Sequence, residues 1–121
     1  MNKREFLKAG GAGILAATVA TPAAAMPRRR IAIVQAGVQG SERFAAAERA
    51  AGSQIMMPQG DPVRWFRATL RPALSGAEVV GLTDAPHALI LEGSLREAGY
   101  RRTTAPAPLG RAILWSAIPR A

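Results

Sequence analysis

The chain has 121 residues and a formal net charge of +8, which suits one small domain with one modest core. It contains no cysteine, which excludes disulfides, thiolate metal sites and cysteine-held iron–sulfur clusters. His87 is its one histidine, so a site built from several histidines is excluded as well. We therefore predict neither a metal nor another cofactor.

Residues 1–25 have the composition of an export signal. Basic residues precede a mild apolar run at residues 9–20, and small residues at 23–25 suit signal peptidase, with cleavage after Ala25. The residues that carry the motif are Lys3, Arg4, Phe6, Leu7 and Lys8. The block resembles a bacterial twin-arginine signal, with Lys3 in place of the first arginine. The resemblance implies contact with that export machinery, and a conventional secretory signal is the alternative.

Cleavage after Ala25 would leave a mature chain of 96 residues with thirteen arginines against seven acidic residues, a formal charge of +6. We expect this chain in the periplasm, or anchored in the inner membrane if the signal is not cleaved. Residues 26–30 are predicted to be a solvated basic leader, whose membrane contact would be weak. Residues 31–119 are predicted to form a single α/β domain.

The first strand is predicted at residues 31–34, a short apolar run rich in β-branched residues. A loop then leads to a helix from about Glu42 to Ala51, with Ser41 as its N-cap. Gly37 and Gly40, together with Ser41, are candidates for an anion site at this helix start. The spacing differs from known phosphate-binding motifs, so a plain strand-to-helix turn is the competing interpretation.

A second strand is predicted at residues 53–57, and Asp61-Pro62 is the clearest helix start in the chain. The helix should extend to about Leu74, with Pro72 kinking or ending it early. Its predicted buried residues are Val63, Phe66, Leu70 and Leu74. Its candidate ligand- or partner-binding residues, expected on another face, are Arg64, Trp65, Arg67 and Arg71. Guanidinium groups bind carboxylates and phosphates, although a solvated helix face with no ligand is the simpler alternative.

A third strand is predicted at residues 78–82, followed by a helix capped by Thr83 or Asp84 and ended by Gly99. Leu89 and Ile90 are expected to widen its apolar stripe. Further strands are predicted at residues 100–104 and 111–118, joined by a stiff connection at 105–108. The order β-α-β-α-β-α-β-β predicts a mostly parallel sheet closed by an antiparallel hairpin. A ferredoxin-like α+β sheet is the alternative if the strand at 53–57 does not form.

In parallel sheets, ligands bind beyond the carboxyl ends of the strands. The polar residues expected there are Gln35, Ser41, Gln59, Asp61, Thr83, Asp84 and His87. A hydrolase would use Ser41 as nucleophile, His87 as base and Asp84 or Asp61 as orienting group, but the Gly-x-Ser-x-Gly motif is missing.

We therefore favour a non-catalytic accessory or binding module for an anionic ligand or an acidic protein. A larger exported enzyme is the other expected partner, with this chain as its accessory subunit. A small periplasmic hydrolase is the alternative. Nucleic acid is not expected as a partner, because an exported protein does not meet it.

Overall fold

The computed structural model describes residues 29–120, which form three helices and six strands. The strands are β1 (Arg30–Val34), β2 (Gln54–Met56), β3 (Glu78–Thr83), β4 (Tyr100–Arg102), β5 (Ala107–Leu109) and β6 (Ala112–Pro119). The regular helices are α1 (Ser41–Ala50) and α3 (Ala85–Glu97). The helix between them, α2, consists of an α-helical turn at Pro62–Trp65, π-helical turns at Phe66–Leu70 and a final turn at Arg71–Ala73.

All six strands belong to one mixed sheet of order β2-β1-β3-β6-β4, with β5 paired to the first half of β6. β1 is parallel to both β2 and β3, whereas β6 is antiparallel to β3, β4 and β5. The α/β class is confirmed. The parallel character holds for the first three strands only, and the ferredoxin-like alternative is wrong because β2 forms and pairs with β1.

The core lies between one face of the sheet and helices α2 and α3, which also pack against each other. Its largest fully buried side chain is Trp115 of β6, which is 1% exposed. Alternate residues of a strand point to opposite faces, so Ile31 and Ile33 of β1 enter this core while Ala32 and Val34 face the other side. Helix α1 contacts β1 and β2, and Ala45 is its buried residue.

Helix α2 differs from the regular helix that its sequence predicts. The N–H of Arg71 donates to the carbonyl of Phe66, five residues back, so the chain makes π turns ahead of Pro72. Pro72 then lies inside the last turn instead of ending the helix. A π turn holds more residues than an α turn. The residues before the π turns are therefore rotated relative to those after them, so that Trp65 and not Val63 lies on the buried face. Val63 is 38% exposed and Trp65 only 7%.

Two of the three predicted helix caps are confirmed. The carboxylate of Asp61 accepts a hydrogen bond from the N–H of Arg64 at 2.8 Å, and that of Asp84 accepts one from the N–H of His87 at 2.9 Å. Ser41 as a cap is wrong, because the N-cap is Gly40 in the left-handed conformation and Ser41 is the first helical residue.

Two predictions near the C-terminus are also wrong. Residues 105–108 do not form only a stiff connection, because β5 begins at Ala107 and forms a tight hairpin with β6. Leu89 does not widen the buried stripe of α3, since it is 75% exposed. The buried residues of that helix are Ala88, Leu91 and Leu95.

The predicted basic leader is bound to the domain where it enters the described residues. Arg30 is the first residue of β1, and its guanidinium binds both carboxylate oxygens of Glu48 on α1 at 2.9 Å. The guanidinium of Arg29 donates to the carbonyl oxygens of Ala73 and Leu74 at the end of α2. These two arginines are therefore structural and not a solvated leader. The rest of that leader lies outside the described residues.

Candidate functional site

The three arginines predicted on α2 are exposed. We call Arg64, Arg67 and Arg71 the arginine face. Within residues 29–120, no hydrogen bond or ion pair holds any of their guanidinium groups, whereas those of Arg29, Arg30 and Arg102 are held in this way. Trp65, which was predicted beside them, belongs to the hydrophobic core and is not part of this surface.

Two of these arginines border a cleft between α2 and α3. Arg67 and Arg71 line its α2 side, and Ser94, Glu97 and Ala98 line the side of α3. The cleft has a volume of about 130 Å³, with Val63 and Phe66 among its lining residues. Arg64 does not line it. The cleft is therefore a smaller and more enclosed part of the arginine face.

The carboxyl edge of the sheet is held together by a hydrogen-bonded cluster. Nε2 of Gln35, just after β1, donates to Oδ2 of Asp84 at 2.9 Å, and Oε1 of Gln35 accepts from the backbone N–H of Asp84 at 2.8 Å. On the other side of Asp84, Oδ1 lies 2.9 Å from Nδ1 of His87. The side chain of Gln35 thus bridges the loops that follow β1 and β3, where an α/β sheet commonly binds ligands.

The surroundings of Asp84 favour its ionised form. Burial acts to raise the pKa of the carboxyl, but hydrogen bonds from the backbone of His87 and from the side chains of Gln35 and His87 outweigh burial and lower the pKa. An ionised carboxylate accepts hydrogen bonds, and Asp84 accepts them both as the cap of α3 and from the side chain of Gln35.

The structure brings together two of the three hydrolase candidates. His87 contacts Asp84, but among the described residues no hydrogen bond joins Ser41 to either of them. Instead, Ser41 lines a broad groove of about 1050 Å³ next to α1, together with Gly37, Gly40 and Leu109. Gly37 and Gly40 have positive φ angles of 86° and 80°, so they form a tight turn at the start of α1.

The other polar residues predicted at this edge have structural roles or stand apart. Thr83 is fully buried; its hydroxyl accepts from Nε1 of Trp115 at 3.1 Å and donates to the carbonyl of Asp84. Asp61 caps α2, and Gln59 is exposed in the loop before it. The predicted polar edge therefore does not converge on one catalytic centre.

Sequence reasoning missed Ser94 and Glu97 as residues of a candidate site. Their spacing places them one turn apart on α3, but nothing in the sequence indicates that this turn lies opposite Arg67 and Arg71. Gln35 was predicted among the edge residues, but its hydrogen bond with Asp84, which joins positions 49 residues apart, was not predicted.

Several predictions concern parts of the chain outside the described residues. The signal motif at Lys3, Arg4, Phe6, Leu7 and Lys8 and the cleavage site after Ala25 lie there. Within residues 29–120, no helix is long and apolar enough to cross a bilayer. In the same part of the chain, no three acidic or histidine side chains are grouped in a way that suits a metal ion.

Comparison with known proteins gives one partial similarity. The chain is 34% identical over 82 residues to the glutamyl-tRNA reductase of Frankia alni. This stretch covers 68% of the present chain but only 17% of that enzyme. No protein-family model matches the chain, and no solved structure matches it. The fold defines a small α/β protein, and the similarity to a short part of a longer enzyme assigns no family to it.

Proposed function

We propose that the chain is an exported, non-catalytic binding module whose arginine face takes anionic groups of a ligand or of an acidic protein. The observation that carries this proposal is the exposure of three arginines on one helix, with no partner for their guanidinium groups among the described residues. Arginine binds carboxylates and phosphates through paired, coplanar hydrogen bonds. The opposite side of α2 is firmly packed, since Trp65, Phe66 and Leu70 are each at most 7% exposed.

The π turns in α2 give this proposal further support. Such turns are rare and frequently occur at functional sites. In α2 they turn Trp65 into the core and leave Arg67 and Arg71 together beside α3. The core thus fixes the helix that carries the arginine pair, so binding an anion would order only the two side chains.

The experiment measures binding of poly-L-glutamate, a model acidic polypeptide, by fluorescence anisotropy. Replacing Arg64, Arg67 and Arg71 with glutamine should weaken binding about tenfold, since each exposed ion pair contributes up to about 1 kcal/mol. The matched control replaces Arg43, Arg49 and Arg111, which are exposed elsewhere, and removes the same charge. If both variants lose the same affinity for poly-L-glutamate, the loss depends on net charge alone and the proposal is contradicted.

The export part of the proposal depends on residues 1–25. Intact mass and N-terminal sequencing of the protein from the periplasm of its native host should give a mature chain that starts at Met26. A reproducible co-purifying enzyme would support an accessory role beside that enzyme. Full-length protein in the cytoplasm would contradict export.

A small hydrolase remains the second candidate, and the contact between Asp84 and His87 is the observation that favours it. A histidine oriented by a carboxylate is part of many hydrolase sites, but here the same carboxylate caps α3 and Ser41 is not bound to the pair. His87→Ala should abolish any esterase or peptidase activity found for the wild type; full retention would rule out this candidate. Reductase activity is not proposed, because the similarity covers 17% of that enzyme.

A further inference from the structure

The cleft between α2 and α3 has walls of opposite charge. Arg67 and Arg71 border it on α2, and Glu97 borders it on α3. Glu97 is exposed and forms no ion pair with an arginine within residues 29–120. It also lies at the end of α3, where the helix dipole adds partial negative charge. The cleft therefore offers a positive side and a negative side to the same bound molecule.

The size of the cleft limits that molecule. Its volume of about 130 Å³ is below the roughly 300 to 1,000 Å³ of sites that enclose drug-sized ligands. Val63, which is 38% exposed, and Ala98 add apolar surface to the cleft, and the hydroxyl of Ser94 adds a donor and acceptor. A molecule that fits has a short carbon chain with charged groups at its ends.

We propose that this cleft binds a small amino dicarboxylate, with its carboxylates at Arg67 and Arg71 and its ammonium group at Glu97. The inference rests on the proposed function, since it specifies one ligand class for part of the arginine face. Two guanidinium groups match two carboxylates, and the carboxylate of Glu97 matches one ammonium. A dianion without an ammonium group would satisfy the arginines but would leave Glu97 facing negative charge.

The test compares L-glutamate with glutarate, which has the same two carboxylates and carbon chain but no ammonium group. Binding is followed by amide chemical shifts of α2 and of the last turn of α3. We expect L-glutamate to bind about twofold to fivefold more tightly than glutarate, the range that a single exposed ion pair provides. Glu97→Gln should remove this preference, and Arg67→Gln with Arg71→Gln should weaken binding of both ligands. Arg49→Gln, on α1, is the control and should change neither.

The outcomes separate this inference from the proposed function. If glutarate binds as tightly as L-glutamate, or if neither shifts the amides of the cleft, the inference is overturned. Poly-L-glutamate binding that still depends on the arginine face would then leave the proposed function standing. A preference for L-glutamate that survives Glu97→Gln would also overturn the inference, because the ammonium group would be recognised elsewhere.

Discussion

The indole ring of Trp115 lies against the α-carbon of Gly81, its partner across the β3–β6 pairing. A β-carbon built on Gly81 would lie 2.3 Å from two ring atoms of Trp115, well inside any allowed contact. The ring is also fixed by the hydrogen bond from its Nε1 to the hydroxyl of Thr83. Glycine at position 81 is therefore what allows the ring of Trp115 to pack against the backbone of β3.

Gly81→Ala should lower the free energy of unfolding by about 1 to 3 kcal/mol, the usual cost of overpacking a tight core. Urea denaturation followed by the fluorescence of the buried tryptophans measures it. The matched control is Gly93→Ala on α3, where a β-carbon would meet nothing within 4 Å. The free energy of unfolding of that variant should rise by up to about 1 kcal/mol, because alanine has a higher helix propensity than glycine. Similar losses in both variants would show that the Trp115 contact is not responsible.

A second prediction concerns the ion pair between Arg30 and Glu48. The hydrogen bond from Arg30 is the main cause that lowers the pKa of Glu48; burial opposes it, and a hydrogen bond from Ser53 adds to it. Because the folded-state pKa lies below that of an unfolded glutamate, about 4.3, the pair stabilises the fold fully above that value. The contribution is then lost as the pH falls through the lowered folded-state pKa.

Glu48→Gln should accordingly destabilise the protein by about 1 to 2 kcal/mol at neutral pH, and the difference from wild type should shrink in acid. Thermal or urea unfolding between pH 7 and pH 3 measures both effects. Glu42→Gln, an exposed change on the same helix, should alter stability by less than about 0.5 kcal/mol. A penalty for Glu48→Gln that stays constant with pH would contradict the assignment.

A third prediction compares the two aspartate caps. Asp84 accepts hydrogen bonds from the backbone and ring of His87 and from Gln35, whereas Asp61 accepts one from the backbone of Arg64. Asp61→Ala should lower the free energy of unfolding by about 1 kcal/mol, as for an ordinary cap. Asp84→Ala should cost about 2 kcal/mol or more, because the amide of Gln35 also loses its partner. Equal costs by urea denaturation would show that the Gln35 bridge adds no stability.

The sequence predicted well those features that depend on near neighbours. Asp61-Pro62 and Asp84 with Pro86 mark helix starts through local hydrogen bonds and a fixed φ angle, and both starts are correct. β5 was missed because Ala107 and Pro108 have little intrinsic strand tendency, and it forms through pairing with β6. Trp65 was misplaced because the π turns change the angle between successive residues, which a fixed helical period does not anticipate.

Much of the candidate site could not be predicted from the sequence, because it depends on contacts between elements that are distant in the chain. The arginine face follows from spacing within one helix, so its exposure was predictable. Predicting the cleft requires knowledge of how α2 packs on α3, because that packing places Arg67 and Arg71 on the opposite side of the cleft from Glu97. Likewise, the separation of Ser41 from His87 depends on how β1 and β3 place their loops.

A fourth prediction concerns Arg29. Its guanidinium donates to Gln54 and to two carbonyl oxygens at the end of α2, where helix carbonyls otherwise lack partners. Arg29→Ala should reduce stability by about 1 kcal/mol and speed hydrogen exchange in the last turn of α2. Arg120→Ala, an exposed change at the opposite end of the chain, is the control. Unchanged exchange at Ala73 and Leu74 would refute this role.

The position of Arg29 has a mechanical consequence. It stands at the entry to β1 and is tied directly to the helix that bears the arginine face. Tension on the preceding segment would therefore act on the end of α2 through the guanidinium of Arg29, as well as on β1 through the backbone and on β3 through the hydrogen bond from the N–H of Glu78 to the carbonyl of Arg29. The helix that we propose for binding is therefore coupled mechanically to the segment that enters the domain from its N-terminal side.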